Sequence, residues 1–455
     1  MTNTLYDNII NNHIINIYDE LYLLYIDKIL LHEVTSPQAF KLLNNKIIWK
    51  NKSILSTSDH NVSTNIKKRF FFNKKIKQLN CIKKNKEKFF FKYYDLNHPK
   101  QGIIHIIASE NIILFPGMIT VCGDSHTTTN GCLSLLAIGI GTSDLSISIS
   151  TQCIIQKKLK NMNILLFNKI KNVFSKDIIL YIIKNISSKG GTGYCIEFSG
   201  ECLEFLSISE KMTICNMSIE AGCKSSLLSP DINLVNFYKN KIYNIKKFLN
   251  FINKLKSKKN SFYEKRYIFD SLKIKPHLTW GTNLDSIIEL DETIYTNDYK
   301  MLKYMGLENN KKIIGVKIQK MFLGSCTNSR FEDLLISCLL LLKLNKKINK
   351  NVIGIIVPGT ENIRLKSEFY GINKIFIMYN YIWKNSGCSM CLAMNEDKLL
   401  PEERCVSTSN RNFIGRQGYK GRTHLVSPIL AIIISIYGEF INYNLYIKLI
   451  NEINF

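Results

Sequence analysis

"GIIHIIASENIILFPGMITVCGDSHTTTNGCLSLLAIGIGTSD", residues 102–144, decides the fold class. Two short apolar runs, "GIIHIIA" and "MITVCG", are predicted strands. They are broken by turn-like polar loops and followed by a small-residue stretch, "GCLSLLAIGIGTSD", predicted as a helix. Strand–loop–helix alternation of this kind predicts α/β layers. Residues 1–50 read as mixed helix and strand, with "LLYIDKILLHEVTSPQAF" closing on a Ser-Pro turn. A second α/β segment starts near "SKDIILYIIKNISSKGGTGYCIEFSG" (175–200), and a third opens with the strand "IGVKIQKMFLGS" (314–325). The Lys-rich stretch 236–267 and the turn signals of "KIKPHLTWGTN" (273–283) mark a boundary between them. The expected division is therefore 1–160, 161–285 and 286–455, without an internal repeat.

The chain has 455 residues, 45% hydrophobic and 21% charged, enough for several packed cores. No apolar run reaches the roughly 18–20 residues that span a bilayer. The greasiest stretch, "ILAIIISIYG" (429–438), is bracketed by Pro428 and Gly438 and predicts a buried helix. The N-terminus carries acids and lacks a basic leader or a small-residue cleavage site, so a cytoplasmic protein is expected. Thirteen cysteines, an odd number, read as thiols or metal ligands rather than a disulfide scaffold. Cys153, Cys202, Cys215, Cys223 and Cys338 sit singly in apolar context, which predicts core packing. The net charge of +25 raises the question of nucleic acid. Its lysines crowd into 65–92 and 236–267, within a Lys/Asn/Ile bias that runs through the whole chain. That pattern reads as solvated faces, and no specific nucleic-acid partner is expected.

The chemistry-bearing residues gather in four loops: "TSDHN" with Asp59 and His60, "CGDSHTTTNG" with Asp124, Ser125 and His126, "FLGSCTNSR" with Cys326, and the run from "GCSMC" to "SNRNFIGRQG" with Cys388, Cys391, Asn410, Arg411 and Arg416. Each follows or flanks an apolar strand, where α/β proteins build sites. From spacing alone, Cys388 and Cys391 fit a redox pair, half a zinc site or part of an iron–sulfur site. No His lies within ten residues of either, and the insert Ser389-Met390 lacks the Pro or Gly usual in redox pairs. A lone Cys-x-x-Cys leaves these alternatives open.

"VCGDSHTTTNG", "FLGSCTNSRFEDL", "GCSMCLAMNEDKLLPEERCVSTSNRNFIGRQG" and "GRTHLVSP" resemble the aconitase family. "LYIDKILLHEVTSPQAF" and "YDLNHPKQGIIH" extend the resemblance over nearly the whole chain, most closely to the branch that converts 2-isopropylmalate to 3-isopropylmalate in leucine biosynthesis. The homoaconitase and citramalate or methylmalate dehydratase branches, and cluster-free relatives that bind RNA, are the alternatives. The resemblance implies three α/β/α domains packed around one [4Fe–4S] cluster per subunit, ligated by Cys326, Cys388 and Cys391 with one iron free of cysteine. It implies a hydro-lyase that removes and re-adds water on a small dicarboxylate, where an open iron acts as a Lewis acid. His60 backed by Asp59 matches the proton donor. His105, Asp124, His126 and Glu220 match further catalytic positions, and Ser125, Arg411 and Arg416 match substrate contacts. Asn216 and Asn410 match donors around the cluster, and His32 falls where aconitase itself has a glutamine.

Departures from the family pattern are Ser386 in place of Pro, Asn130 in place of a frequent His, Ile414 in place of a frequent Glu, and "LSISIS" (145–150). They leave the ligands and clamps in place. Single-chain aconitases carry a fourth, swivelling domain, for which this sequence leaves no room after "GRTHLVSPILAIIISIYGEF". The resemblance therefore implies a separate small subunit bearing that domain, joined to this chain in a heterodimer.

Overall fold

The computed structural model describes residues 3–43, 47–65 and 76–452. Part of the basic segment 65–92 thus lies outside the described residues. Three parallel sheets organise the chain. The first runs Lys92–Tyr94, Ile54–Thr57, Lys28–His32, Ile119–Cys122, Leu136–Gly139. The second runs Ser225–Leu228, Tyr194–Ser199, Lys160–Phe167, Lys265–Asp270. The third runs Ile382–Trp383, Ile353–Ile356, Lys320–Leu323, Arg404–Ser407, Arg422–Leu425. Strands such as "ITVC" and "KMFL" are buried along their whole length, as strands covered on both faces must be. Pro428–Tyr437 is the expected buried helix, closed by Gly438 in the left-handed region at φ 80°.

Several local expectations are corrected. "GIIHIIA" is not a strand: Ile104–Glu110 is a helix. It is buried on nearly every side, so its apolar run carries no period, and a short buried helix then looks like a strand. The Asp59 carboxylate accepts its first amide, Ile104 N, at 2.9 Å. "GCLSLLAIGIGTSD" is not one helix. Its start belongs to the 3-10 turn Ser125–Leu133, its middle is the strand Leu136–Gly139, and the helix begins only at Thr142. Ser36-Pro37 opens a helix, Ser36–Leu42, with Pro in the first turn where its missing N–H costs nothing. The Lys-rich stretch is not a bare linker. Ile245–Leu255 buries Phe248, Ile252 and Leu255 and turns its lysines to solvent, and Lys265–Asp270 joins the second sheet.

Two small antiparallel pieces were not legible beforehand. Ile14–Tyr18, Leu21–Tyr25 and Cys153–Lys157 make a three-stranded sheet, and His277–Thr279 pairs with Ile287–Glu289. Among the described residues no helix is long and apolar enough to cross a membrane.

Candidate active site

The polar loops lie at the carboxyl ends of the parallel strands, the position where α/β sheets bind ligands. His32 ends its strand and Glu33 follows it. Asp59 and His60 follow Ile54–Thr57, and Asp124 follows Ile119–Cys122. From the third sheet come Cys326 after Lys320–Leu323, Cys388 and Cys391 after Ile382–Trp383, and Asn410, Arg411 and Arg416 after Arg404–Ser407. Asn216 lies in the helix Ile208–Ser218 and Glu220 in the 3-10 turn that continues it. A small cavity, partly open to solvent, is lined by His60, His105, Asp124, His126, Asn410, Arg416 and all three cysteines.

The cysteines converge as a built cradle. All three are buried. Cys388 caps the 3-10 turn Ser389–Cys391, and its amide is held by the Asp59 carbonyl at 2.9 Å. The Cys326 sulfur accepts from Asn216 Nδ2 at 3.1 Å and from Asn410 Nδ2 at 3.3 Å. Asn216 Oδ1 in turn accepts from Thr327 Oγ1 and from Asn410 Nδ2. Burial, then the charge of Cys391, pushes the Cys326 thiol up to about 12. Burial, Asp59 and the other two cysteines push Cys388 well above its ordinary value. Three thiols that repel one another as thiolates ask for a cationic centre, because metal binding is what deprotonates such groups. Ser386, where the family pattern has Pro, uses its hydroxyl: it donates to Gln101 Oε1 at 2.9 Å and to Glu361 Oε2 at 3.2 Å. Gln101 Nε2 ties that same loop to the Ser58 carbonyl at 2.7 Å.

Beside the cradle runs a chain of carboxylates and imidazoles. Asp59 Oδ1 bonds His60 Nδ1, and Asp124 Oδ2 lies 3.5 Å from His60 Nε2. Burial disfavours the charged ring, but the two flanking carboxylates hold His60 well above the ordinary histidine range. Asp124 also meets His105 Nε2 at 3.2 Å and the His126 amide at 2.7 Å. Burial would raise its pKa, and His105, His126 and His60 together hold it well below the carboxylate range. His126 reaches Glu220 Oε1 at 3.0 Å, and these two acids raise its pKa against burial. Arg411 closes the chain, with Nε on Glu220 Oε1 at 2.7 Å and Nη2 on Ser125 Oγ at 3.1 Å. Arg416 is different: its Nε is buried and finds no partner, while its guanidinium sits 5.3 Å over the Phe413 ring.

Glu33 was not singled out from sequence, and the role of His32 was not defined there. Glu33 accepts the amides of Asp59, His60 and Asn61 at 3.1, 2.8 and 2.6 Å, so it shapes the turn that presents the dyad. An acid directly after an apolar strand, in "LLHEV", was the available signal. His32 stacks on His60 with ring centroids 4.3 Å apart; burial and the His60 charge lower it to about 4, so it stands neutral. A zinc reading of the cradle needs a fourth ligand. His60 and His126 have both ring nitrogens against carboxylates, and His105 has one.

The family model for aconitase, described as aconitate hydratase, matches residues 7–438. The 3-isopropylmalate dehydratase large subunit of Buchnera aphidicola subsp. Cinara cedri (strain Cc) is 43% identical over 97% of this chain and 100% of its own length. The crystal structure of Thermococcus kodakaraensis aconitase X in its holo form aligns with a TM-score of 0.49 at 10% identity, over 93% of this chain and 89% of that one.

Proposed function

The chain belongs to the aconitase family, and from that premise we propose that it is the large subunit of a 3-isopropylmalate dehydratase. It is a hydro-lyase, and the reaction is the interconversion of 2-isopropylmalate and 3-isopropylmalate for leucine biosynthesis. The observation that carries the reading is the meeting of three buried cysteines, a carboxylate-flanked histidine and an unpartnered arginine on one cavity.

Cys326, Cys388 and Cys391 would hold a [4Fe–4S] cluster, with Asn216 and Asn410 donating to the sulfur side. When bound, the cluster supplies a Lewis-acidic iron free of cysteine for the substrate's hydroxyl and carboxylate. His60 holds a proton between Asp59 and Asp124, which suits a donor to the departing oxygen. Asp124, His105, His126 and Glu220 form the relay that keeps that proton and its replacements in place. The substrate is a dianion, and cations must hold its carboxylates. Arg416 brings an unspent Nε donor to the cavity, and Arg411 is aimed by Glu220 and Ser125. A planar fork grips a carboxylate better than a lysine point charge.

Among the described residues the cavity carries no serine or lysine poised as the base for the carbon-bound proton. Phe413 and Ile414 stand 50% and 62% exposed in the loop that carries Arg411 and Arg416, an apolar patch beside the arginines. A small subunit docking there, as the name of the large-subunit relative suggests, would cover the site and bring the missing base on its swivel domain. The three-domain division at 1–160, 161–285 and 286–455 accompanies this proposal. Each segment then carries one of the three sheets, apart from the strand Lys160–Phe167 starting one residue before its own. The test is anaerobic reconstitution followed by assays on 2-isopropylmalate, homoaconitate and citramalate with the small subunit present. Turnover of the isopropylmalates above the others is expected; preference for either competitor would replace this reading.

A further inference from the structure

Three lysines are buried among the described residues. Two have acid partners: Lys211 pairs with Asp231, and Lys320 lies 2.8 Å from Glu403. The third, Lys176, is fully buried and makes no ion pair. It sits in the first turn of the helix Ser175–Ile186, and its one hydrogen-bond acceptor is the Ser409 carbonyl, at 2.5 Å. The acids near it are engaged elsewhere. Asp177 accepts the His277 and Phe174 amides at 3.0 and 3.1 Å, and Asp333 accepts from Asn328 Nδ2 and Arg330 N at 3.0 and 3.1 Å.

An ammonium has three donors and a charge that a dry interior tolerates only beside opposite charge. Ser409 directly precedes Asn410, whose side chain bridges the sulfurs of Cys326 and Cys391. Lys176 is therefore tied, through the Ser409 carbonyl, to the segment whose asparagine touches the cysteine cradle, and it does not line the cavity itself. Burial lowers its pKa to about 7, and the group that opposes this most strongly is Cys391, followed by Asp333, Asp177 and Cys326. Among the described residues no carboxylate forms an ion pair with this lysine, and the thiolates of Cys391 and Cys326 would supply opposite charge.

We propose that Lys176 is the buried counter-charge of the cysteine cradle, a positioning residue that stabilises the bound cluster and sets its reduction potential without touching substrate. The proposal rests on the cluster reading above. A positive charge fixed in a low-dielectric site favours the more negative, reduced cluster and the retention of its thiolates.

The experiment compares Lys176→Met, Lys176→Gln and Lys176→Arg with the wild type. Each is reconstituted anaerobically, counted for iron, titrated redox-potentiometrically with EPR detection, and challenged with a chelator. Both neutral variants are expected to load iron, to shift the potential to more negative values and to lose iron several-fold faster. The Arg variant should stay close to wild type. Neutral variants that fold without metal yet fail to load, while Arg loads, would also support the proposal. Neutral variants with unchanged potential and iron loss would overturn it. So would neutral variants that unfold even without metal, since the lysine would then serve the fold alone. A wild-type chain that takes up no iron–sulfur cluster would defeat the cluster reading itself, separately from the lysine.

Discussion

Arg416→Lys isolates the role of a fork from that of a charge. Arg416 Nε is buried without a partner, in a side chain that lines the cavity beside His60, Asp124 and the cysteines. A buried donor left unpaired by its own fold calls for an explanation, and a substrate carboxylate supplies one. Lysine keeps the charge but removes Nε and the parallel geometry. The loss is one charge-assisted hydrogen bond, about 1.5–3 kcal/mol. At ~1.4 kcal/mol per decade, kcat/KM for 2-isopropylmalate should fall roughly ten- to a hundred-fold. Because Arg416 Nε bonds nothing in the chain, unfolding of the metal-free variant should stay within about 0.5 kcal/mol of wild type. The assay is steady-state isomerisation by the reconstituted large and small chains, with denaturant unfolding as the control. Wild-type kcat/KM, or a fall matched by an equal loss of stability, would refute the clamp.

Other substitutions probe the remaining parts. Cys326→Ser, Cys388→Ser and Cys391→Ser should each abolish cluster content and activity, because a serine hydroxyl replaces a thiolate poorly; iron analysis reads this, and Cys153→Ser, on the small antiparallel sheet, should retain full iron. Glu33→Ala strips three buried-loop amides of their acceptor, so the metal-free protein should lose about 3 kcal/mol or more in urea unfolding; an unchanged midpoint would remove Glu33 from the site's framework. Asp59→Asn tests the dyad by pH. Asp59 is held below its ordinary pKa, so its contribution is present above the usual carboxylate range. His60 is held above its own, so its contribution is complete below the ordinary histidine value and fades as pH rises through the raised one. The stability gap between wild type and Asp59→Asn should be widest between about pH 5 and neutral and close in alkali; a gap that widens with pH would reverse the assignment.

The α/β class was legible because each parallel sheet announces itself through short, fully apolar strands followed by polar loops. "MITVCGDSH" and "KMFLGSC" are read directly, and the structure brings Asp124 and Cys326 to the same cavity. What failed was the conformation of buried segments without a polar face. "GIIHIIA" looks the same whether neighbours cover it as a strand or as a helix, and its helix is set by packing and by the Asp59 carboxylate at its first amide. Glu33 and Lys176 escaped notice for a related reason. Each is a charged residue in an apolar run whose role depends on partners far away in sequence: the 59–61 amides for one, the Ser409 carbonyl for the other. The antiparallel strands Ile14–Tyr18 and Leu21–Tyr25 lie in half-exposed, uncharged sequence with no alternation to reveal them.

The central claim is that this chain holds the cluster and the proton relay while a second chain completes the site. It is tested most directly by reconstituting the purified chain without oxygen and following 2-isopropylmalate isomerisation before and after adding the small subunit. The account predicts an iron-loaded chain that is silent alone and turns over once the partner is added. Robust turnover by the chain alone, or none from the loaded pair, would contradict it.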